Sequence, residues 1–251
     1  MANWNDPQPR PKDLGAGFGA SPGLGGQAIG QAGYDQGLRS HMLSIYNYMA
    51  SGVLLSGVVA MLFAPTAEKM MFSGNPLMWV IMLAPLGFVF GMSFGANRMK
   101  TVTLQAMFWG FCVVMGLSMS TIFLVFTGAS IASTFFATAG AFAGLSLFGY
   151  TTQRNLTGMG SFLIMGLVGI IIAMVINIWL QSPGLTFAVS ILGVLIFAGL
   201  TAYDTQRLKE QYYHLARTEF LGKAVVLGAL TLYLDFINMF MMMLQLFGNR
   251  E

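Results

Sequence analysis

The sequence predicts an all-α membrane protein, a bundle of seven transmembrane helices with the last helix central. Three observations carry that prediction. Apolar residues make up 56% of the chain and charged residues only 8%, against about 25% charged in ordinary soluble domains. Seven apolar runs follow one another, each near the roughly 20 residues that a helix needs to cross about 30 Å of hydrocarbon. The last run carries a carboxylate, Asp235, on a polar stripe that lipid has no groups to satisfy.

The elements follow in chain order. Residues 1–38 hold Pro7, Pro9, Pro11 and Pro22 among many glycines and no apolar run. Such a segment buries too little to offset its chain entropy, which predicts a disordered cytoplasmic tail rather than a secretory signal or a span. Its glycine spacings follow no strand and make no nucleotide fingerprint. The spans are expected at about 42–64, 77–96, 104–126, 130–150, 160–180, 184–204 and 224–247, within a membrane domain of residues 39–251. The third and fourth are parted only by the uncharged break Thr127-Gly128-Ala129.

Basic residues set the expected orientation. With the N-terminus inside, the inner segments hold Arg10, Lys12, Arg39, Arg98, Lys100, Arg154, Arg207, Lys209, Arg217 and Lys223, and the outer ones only Lys69 and Arg250. That bias places the N-terminus in the cytoplasm, and seven spans then place the C-terminus outside. The net charge of +3 is too small and too scattered to suggest nucleic acid. The single cysteine, Cys112, forms no intramolecular disulfide.

Small residues suggest packing faces. Gly87, Gly91 and Gly95 align on one side of the second span, and Gly140 and Gly144 could act alike in the fourth. Arg98 follows Gly95 by three residues on nearly the same face. Two readings stand for it: a side chain reaching the headgroups, or a guanidinium turned inward toward carboxylates.

In the seventh run, Gly228, Thr231, Asp235, Asn238, Met242 and Gln245 recur at spacings of three and four, on one helical face. The stripe must meet protein or water, which is why this helix is expected at the centre. It either fixes helix register or lines a path. Ser190, Gly193, Phe197, Thr201 and Asp204 form a weaker stripe in the sixth run. Asp204 is followed by Arg207, Lys209 and Glu210, so it reads either as an interfacial acid or as the partner of Asp235. A charge at bilayer depth costs at least about 2.5–3.5 kcal/mol, so such an acid faces a partner or water. The two would be level if the helices extend into the charged loop between them. Two buried carboxylates do not both ionise cheaply, so a level pair shares one proton. Losing it introduces repulsion, separating the helices or creating an oxygen site for a hard cation such as calcium.

The segments Phe197-Ala-Gly-Leu-Thr-Ala-Tyr-Asp204-Thr-Gln and Ala229-Leu-Thr-Leu-Tyr-Leu-Asp235-Phe-Ile-Asn-Met-Phe resemble the signature of the Bax inhibitor (transmembrane Bax-inhibitor-motif) family, as in a bacterial member. The resemblance covers roughly residues 38–248. It implies a last helix surrounded by the other six and a pH-sensitive calcium leak. The sensing and gating residues would fall on Asp204, Asp235 and Arg98, the latter engaging the pair. Asp204, Asp235 and Asn238 would line the cation path, the two acids being the ligands of a passing calcium ion. No other cofactor is expected. The second helix carries no acid near Gly87, where some members place a glutamate.

Enzyme readings fare worse. Tyr203-Asp204 matches half of an intramembrane aspartyl protease signature, but Asp235 follows Leu-Tyr-Leu rather than Gly-x-Gly. The seventh run has no lysine for a retinal Schiff base. The competing class is a non-catalytic regulator that binds another membrane protein, such as a membrane protease. Besides the lipid bilayer, the expected partners are calcium and protons. The expected location is a bacterial inner membrane.

Overall fold

In the computed structural model every expected span is a helix. The structure describes the backbone of residues 22–216 and 218–250 and the side chains of 35–216 and 218–250. The seven helices are α1 (Pro22–Phe72), α2 (Leu77–Gly95), α3 (Thr101–Met119), α4 (Gly128–Thr151), α5 (Thr157–Leu180), α6 (Pro183–Leu215) and α7 (Leu221–Phe247). All seven are long and apolar enough to cross a membrane. The tail expected over residues 1–38 lies outside the described residues as far as residue 21. Its remainder continues the backbone of α1, where lengthening an existing helix adds one hydrogen bond per residue fixed. The chain divides into residues 1–36 and 37–251, and all that follows concerns the second unit.

Local chemistry sets the helix ends. Ser182 caps α6 by accepting from Leu185 N at 3.4 Å, with Pro183 at the first helical position, where its missing N–H costs nothing. The weak break between the third and fourth spans is real. A short 3-10 turn, Ser120–Leu124, ends the first, and the Thr127 side chain accepts from Ser130 N to begin the next. The chain's end returns to this break: Thr127 N donates to Asn249 O (3.1 Å) and Asn249 N to Ser130 Oγ (2.8 Å).

α7 is the core. Of its most apolar window 67% is buried, against 11–39% for the other spans. Tyr233, fully buried, sets its ring edge-on to Phe108 and Phe111 of α3. Phe236 meets Phe135 and Phe142 of α4, and Met242 lies where a side chain at Gly193 of α6 would project. The Tyr233 hydroxyl donates to Ser56 Oγ of α1 (2.6 Å), which donates onward to the carbonyl of Cys112 (2.7 Å) or Gly52 (3.0 Å). Ser56→Ala is expected to cost about 1–3 kcal/mol by leaving a buried hydroxyl unpaired. Unfolding curves in detergent measure it, and in the Tyr233→Phe background the same change should cost much less.

The glycines that carry close packing are not those the spacing suggested. Among the described residues nothing approaches the Cβ positions of Gly87, Gly140 or Gly144. At Gly95 the neighbour is only the Met99 side chain, and at Gly91 the end of Met107. The backbone contacts fall instead at Gly116, against Ser56 of α1, and Gly149, against Ala202 of α6. A small-residue repeat marks a face able to pack, and here α2 turns much of its surface outward: only 17% of its window is buried.

Candidate functional site

Asp204 and Asp235 come together where α6 and α7 run antiparallel. Both helices extend into the charged connection, as levelling the acids requires. α6 continues eleven residues past Asp204, and α7 begins fourteen residues before Asp235. Glycines let the two helices approach. A side chain at Gly228 would strike Leu208, and one at Gly193 would strike Met242. At the far end Ser190 Oγ donates to Gln245 Oε1 at 2.8 Å. The polar stripe of α7 therefore faces the weaker stripe of α6, as their spacings imply.

The carboxyls lie within hydrogen-bonding reach of one another, and both are buried, Asp204 at 8% exposure and Asp235 at 5%. Asp235 Oδ2 receives no bond from any amide, hydroxyl or cationic donor among the described residues. Two ionised carboxylates cannot bond each other, so a hydrogen bond between them would need one shared proton.

Arg207 lies one turn further along the same face of α6 and lines the same cavities as Asp204. Arg98 is exposed in the turn after α2, and the structure does not bring it to the pair. Lys223 Nζ holds that turn by donating to Ala96 O at 3.1 Å. Lys223 stands twelve residues from Asp235, about 18 Å along α7, beyond an arginine's reach. The i, i+3 spacing of Asp204 and Arg207 was the available signal for the nearer cation. Asn238 is half-buried and donates to Leu234 O of its own helix at 2.8 Å.

Two cavities flank the pair. One, of about 450 Å³, lies between α5, α6 and α7 and is lined by Asp204, Arg207, Thr231, Asp235 and Asn238 among apolar side chains. The other, of about 400 Å³, lies toward the α6–α7 connection and reaches Gln211 and His214. Asp204, Arg207 and Thr231 line both, so they form the partition between them. No group of three or more His, Cys, Asp or Glu is placed to hold a metal among the described residues. The oxygen donors gathered here are the two carboxyls, the Thr231 hydroxyl and the Asn238 amide.

Gln206 fixes α6 beside this partition. Its Nε2 donates to Arg154 O and its Oε1 accepts from Leu156 N, both at 2.8 Å. Lys209 Nζ donates to Tyr150 O at 2.9 Å, and Ser146 and Thr205 hydroxyls meet at 3.0 Å. These contacts tie α6 to α4 and to the α4–α5 connection. Composition and period do not reveal them, because each depends on which residues the fold brings opposite.

Seven membrane-length helices, six packed around the central α7, with two facing carboxyls buried among them, define an integral membrane protein. The chain belongs to the Bax inhibitor family: the family model described as inhibitor of apoptosis-promoting Bax1 matches residues 38–251. It is 44% identical over 219 residues to the inner membrane protein YbhL of Escherichia coli, covering 86% of this chain and 94% of that one. An uncharacterised protein of Rickettsia prowazekii is 44% identical over 221 residues, with 87% and 93% covered. One from Caulobacter vibrioides is 44% identical over 229 residues, with 86% and 92% covered.

Proposed function

We propose that this protein is a non-enzymatic, pH-sensitive calcium leak of the bacterial inner membrane, gated by Asp204 and Asp235. The observation that carries the reading is the contact of these two buried carboxyls at the partition between two cavities. With one shared proton the pair bears a single negative charge, opposed by Arg207, and the partition stays shut. Loss of that proton places two negative charges side by side, which forces the carboxyls apart. The separated carboxyls, with the Thr231 hydroxyl and Asn238 amide, offer the oxygen ligands that calcium takes. Two carboxylates without a third acid suit an ion in passage better than one held. The bias of basic residues supports a cytoplasmic N-terminus and an outer C-terminus, which sets the Gln211–His214 cavity toward the cytoplasm.

The test is calcium flux into proteoliposomes from about pH 6 to about pH 8. Flux is expected to be lowest where the pair holds one proton and to rise as that proton is lost. Flux that instead fell steadily with rising pH would assign conduction to the protonated pair and reverse the sign of the gate. No flux at any pH, from folded and inserted protein, sinks the leak and leaves a regulator that binds another membrane protein. Within the leak reading, Arg207→Gln is expected to shift the pH of the response, because it removes the cation one turn from Asp204. Arg98→Gln, in the exposed turn that Lys223 holds, is expected to shift it far less.

A further inference from the structure

A third cavity, of about 670 Å³, is a groove between α1 and α4 that the acid pair does not use. Its walls are almost wholly apolar. It exists because α4 presents Ala139, Ala143 and Ser146 there at spacings of four and three, side chains too short to reach α1. It runs from Arg39 to Leu54 on α1 and from Tyr150 to Phe135 on α4. Each wall spans fifteen helical steps, about 22 Å at the helix rise. That is more than one leaflet of a hydrocarbon core about 30 Å thick. The rims are open, with Leu43, Leu54 and Leu147 exposed.

The two ends differ in charge. Arg39 stands exposed at one end, where Tyr150 of the other wall carries the Lys209 ammonium 5.4 Å from its ring centre, outside the groove lining. The ammonium donates to Tyr150 O. The Leu54–Phe135 end has no charged side chain among the lining residues. A polar, cationic mouth on a long apolar slot matches a molecule with one anionic head and one long hydrocarbon chain. Such a molecule abounds only in the surrounding bilayer.

We propose that the α1–α4 groove binds one acyl chain of an anionic phospholipid, with the headgroup phosphate at Arg39. The chain lies along Ala139 and Ala143 and ends against the aromatic floor, where Phe236 adjoins Asp235. This binding is independent of whether the acid pair conducts an ion.

Native mass spectrometry of the full chain tests it, using dioleoyl phosphatidylglycerol and dioleoyl phosphatidylcholine as probes. The wild type is expected to retain one phosphatidylglycerol in preference to phosphatidylcholine. Ala143→Phe, which fills the slot, is expected to lose both. Arg39→Gln is expected to keep the chain but lose about five-fold in headgroup preference, the worth of one basic group near an anionic surface. Equal retention of both lipids by the wild type would mean ordinary solvating lipid and overturn the proposal. So would undiminished retention by Ala143→Phe with an unchanged unfolding transition. Should that variant not fold, Arg39→Gln decides alone, since it alters an exposed side chain. An unchanged preference there also overturns the proposal.

Discussion

Asp235→Asn is expected to leave calcium flux low and flat across the pH range in which the wild type responds. The amide is nearly the shape of the carboxyl and brings its own hydrogens, so it donates to Asp204 at every pH. The pair then keeps one negative charge opposite Arg207 and never gains the second. A gate run by one shared proton changes by at most about tenfold per pH unit. Losing that response while the unfolding transition in detergent stays near the wild type assigns the proton to this contact. Asp204→Asn should behave alike, because the proton belongs to both acids. A variant that keeps the wild-type pH response shows that another group senses the proton, and the gate would have to be sought elsewhere.

Gly149→Ala is expected to destabilise the fold by about 3 kcal/mol, the upper end of the cost of overpacking. A Cβ at Gly149 would collide with the carbonyl oxygen of Ala202 and lie 2.9 Å from its carbonyl carbon. Backbone meets backbone here, so no side chain can swing aside. Replacing glycine by alanine within a helix offers about 1 kcal/mol in return, too little to offset the collision. Gly144→Ala, five residues earlier on the same helix and facing open space, is the control. It should be neutral or slightly stabilising, and equal losses at both positions would refute the packing argument. Chemical unfolding of both variants in the same detergent supplies the comparison.

Much of this architecture was legible because the bilayer makes it so. Backbone groups in hydrocarbon must be satisfied within helices, so seven apolar runs of the right length leave little else to build. The stripe from Gly228 to Gln245 exposed the central helix for the same reason, and the meeting of Asp204 with Asp235 followed from two such stripes on neighbouring spans. What escaped was partner choice. The glycine repeats at Gly87 and Gly140 are indistinguishable in sequence from those that pack, and only the fold shows that Gly116 and Gly149 meet backbone while they do not. The counter-charge escaped likewise. An arginine on the glycine face of α2 and one a turn beyond Asp204 are both plausible neighbours until the α2–α3 turn is seen at the start of α7, where Lys223 holds it. The membrane domain was expected to begin at residue 39, and α1 begins before it because propagating a helix needs no apolar face.

The bonds of Gln206 across to Arg154 and Leu156, with the Gly149–Ala202 crossing, set what kind of movement the acid pair can drive. They tie one side of the partition into a slab: α6, α4 and the start of α5 travel together, or the bonds break. In the proposed gate, electrostatic repulsion at Asp204 would therefore push on a stiff body rather than bend one helix. The yielding surface is the contact of that slab with α7, where the aromatic rings of Phe135 and Phe142 can glide over Phe236. Under that proposal a displacement of one carboxyl would become a shift felt along the whole length of α7, at the groove on its far side as well as at the cavities beside the pair.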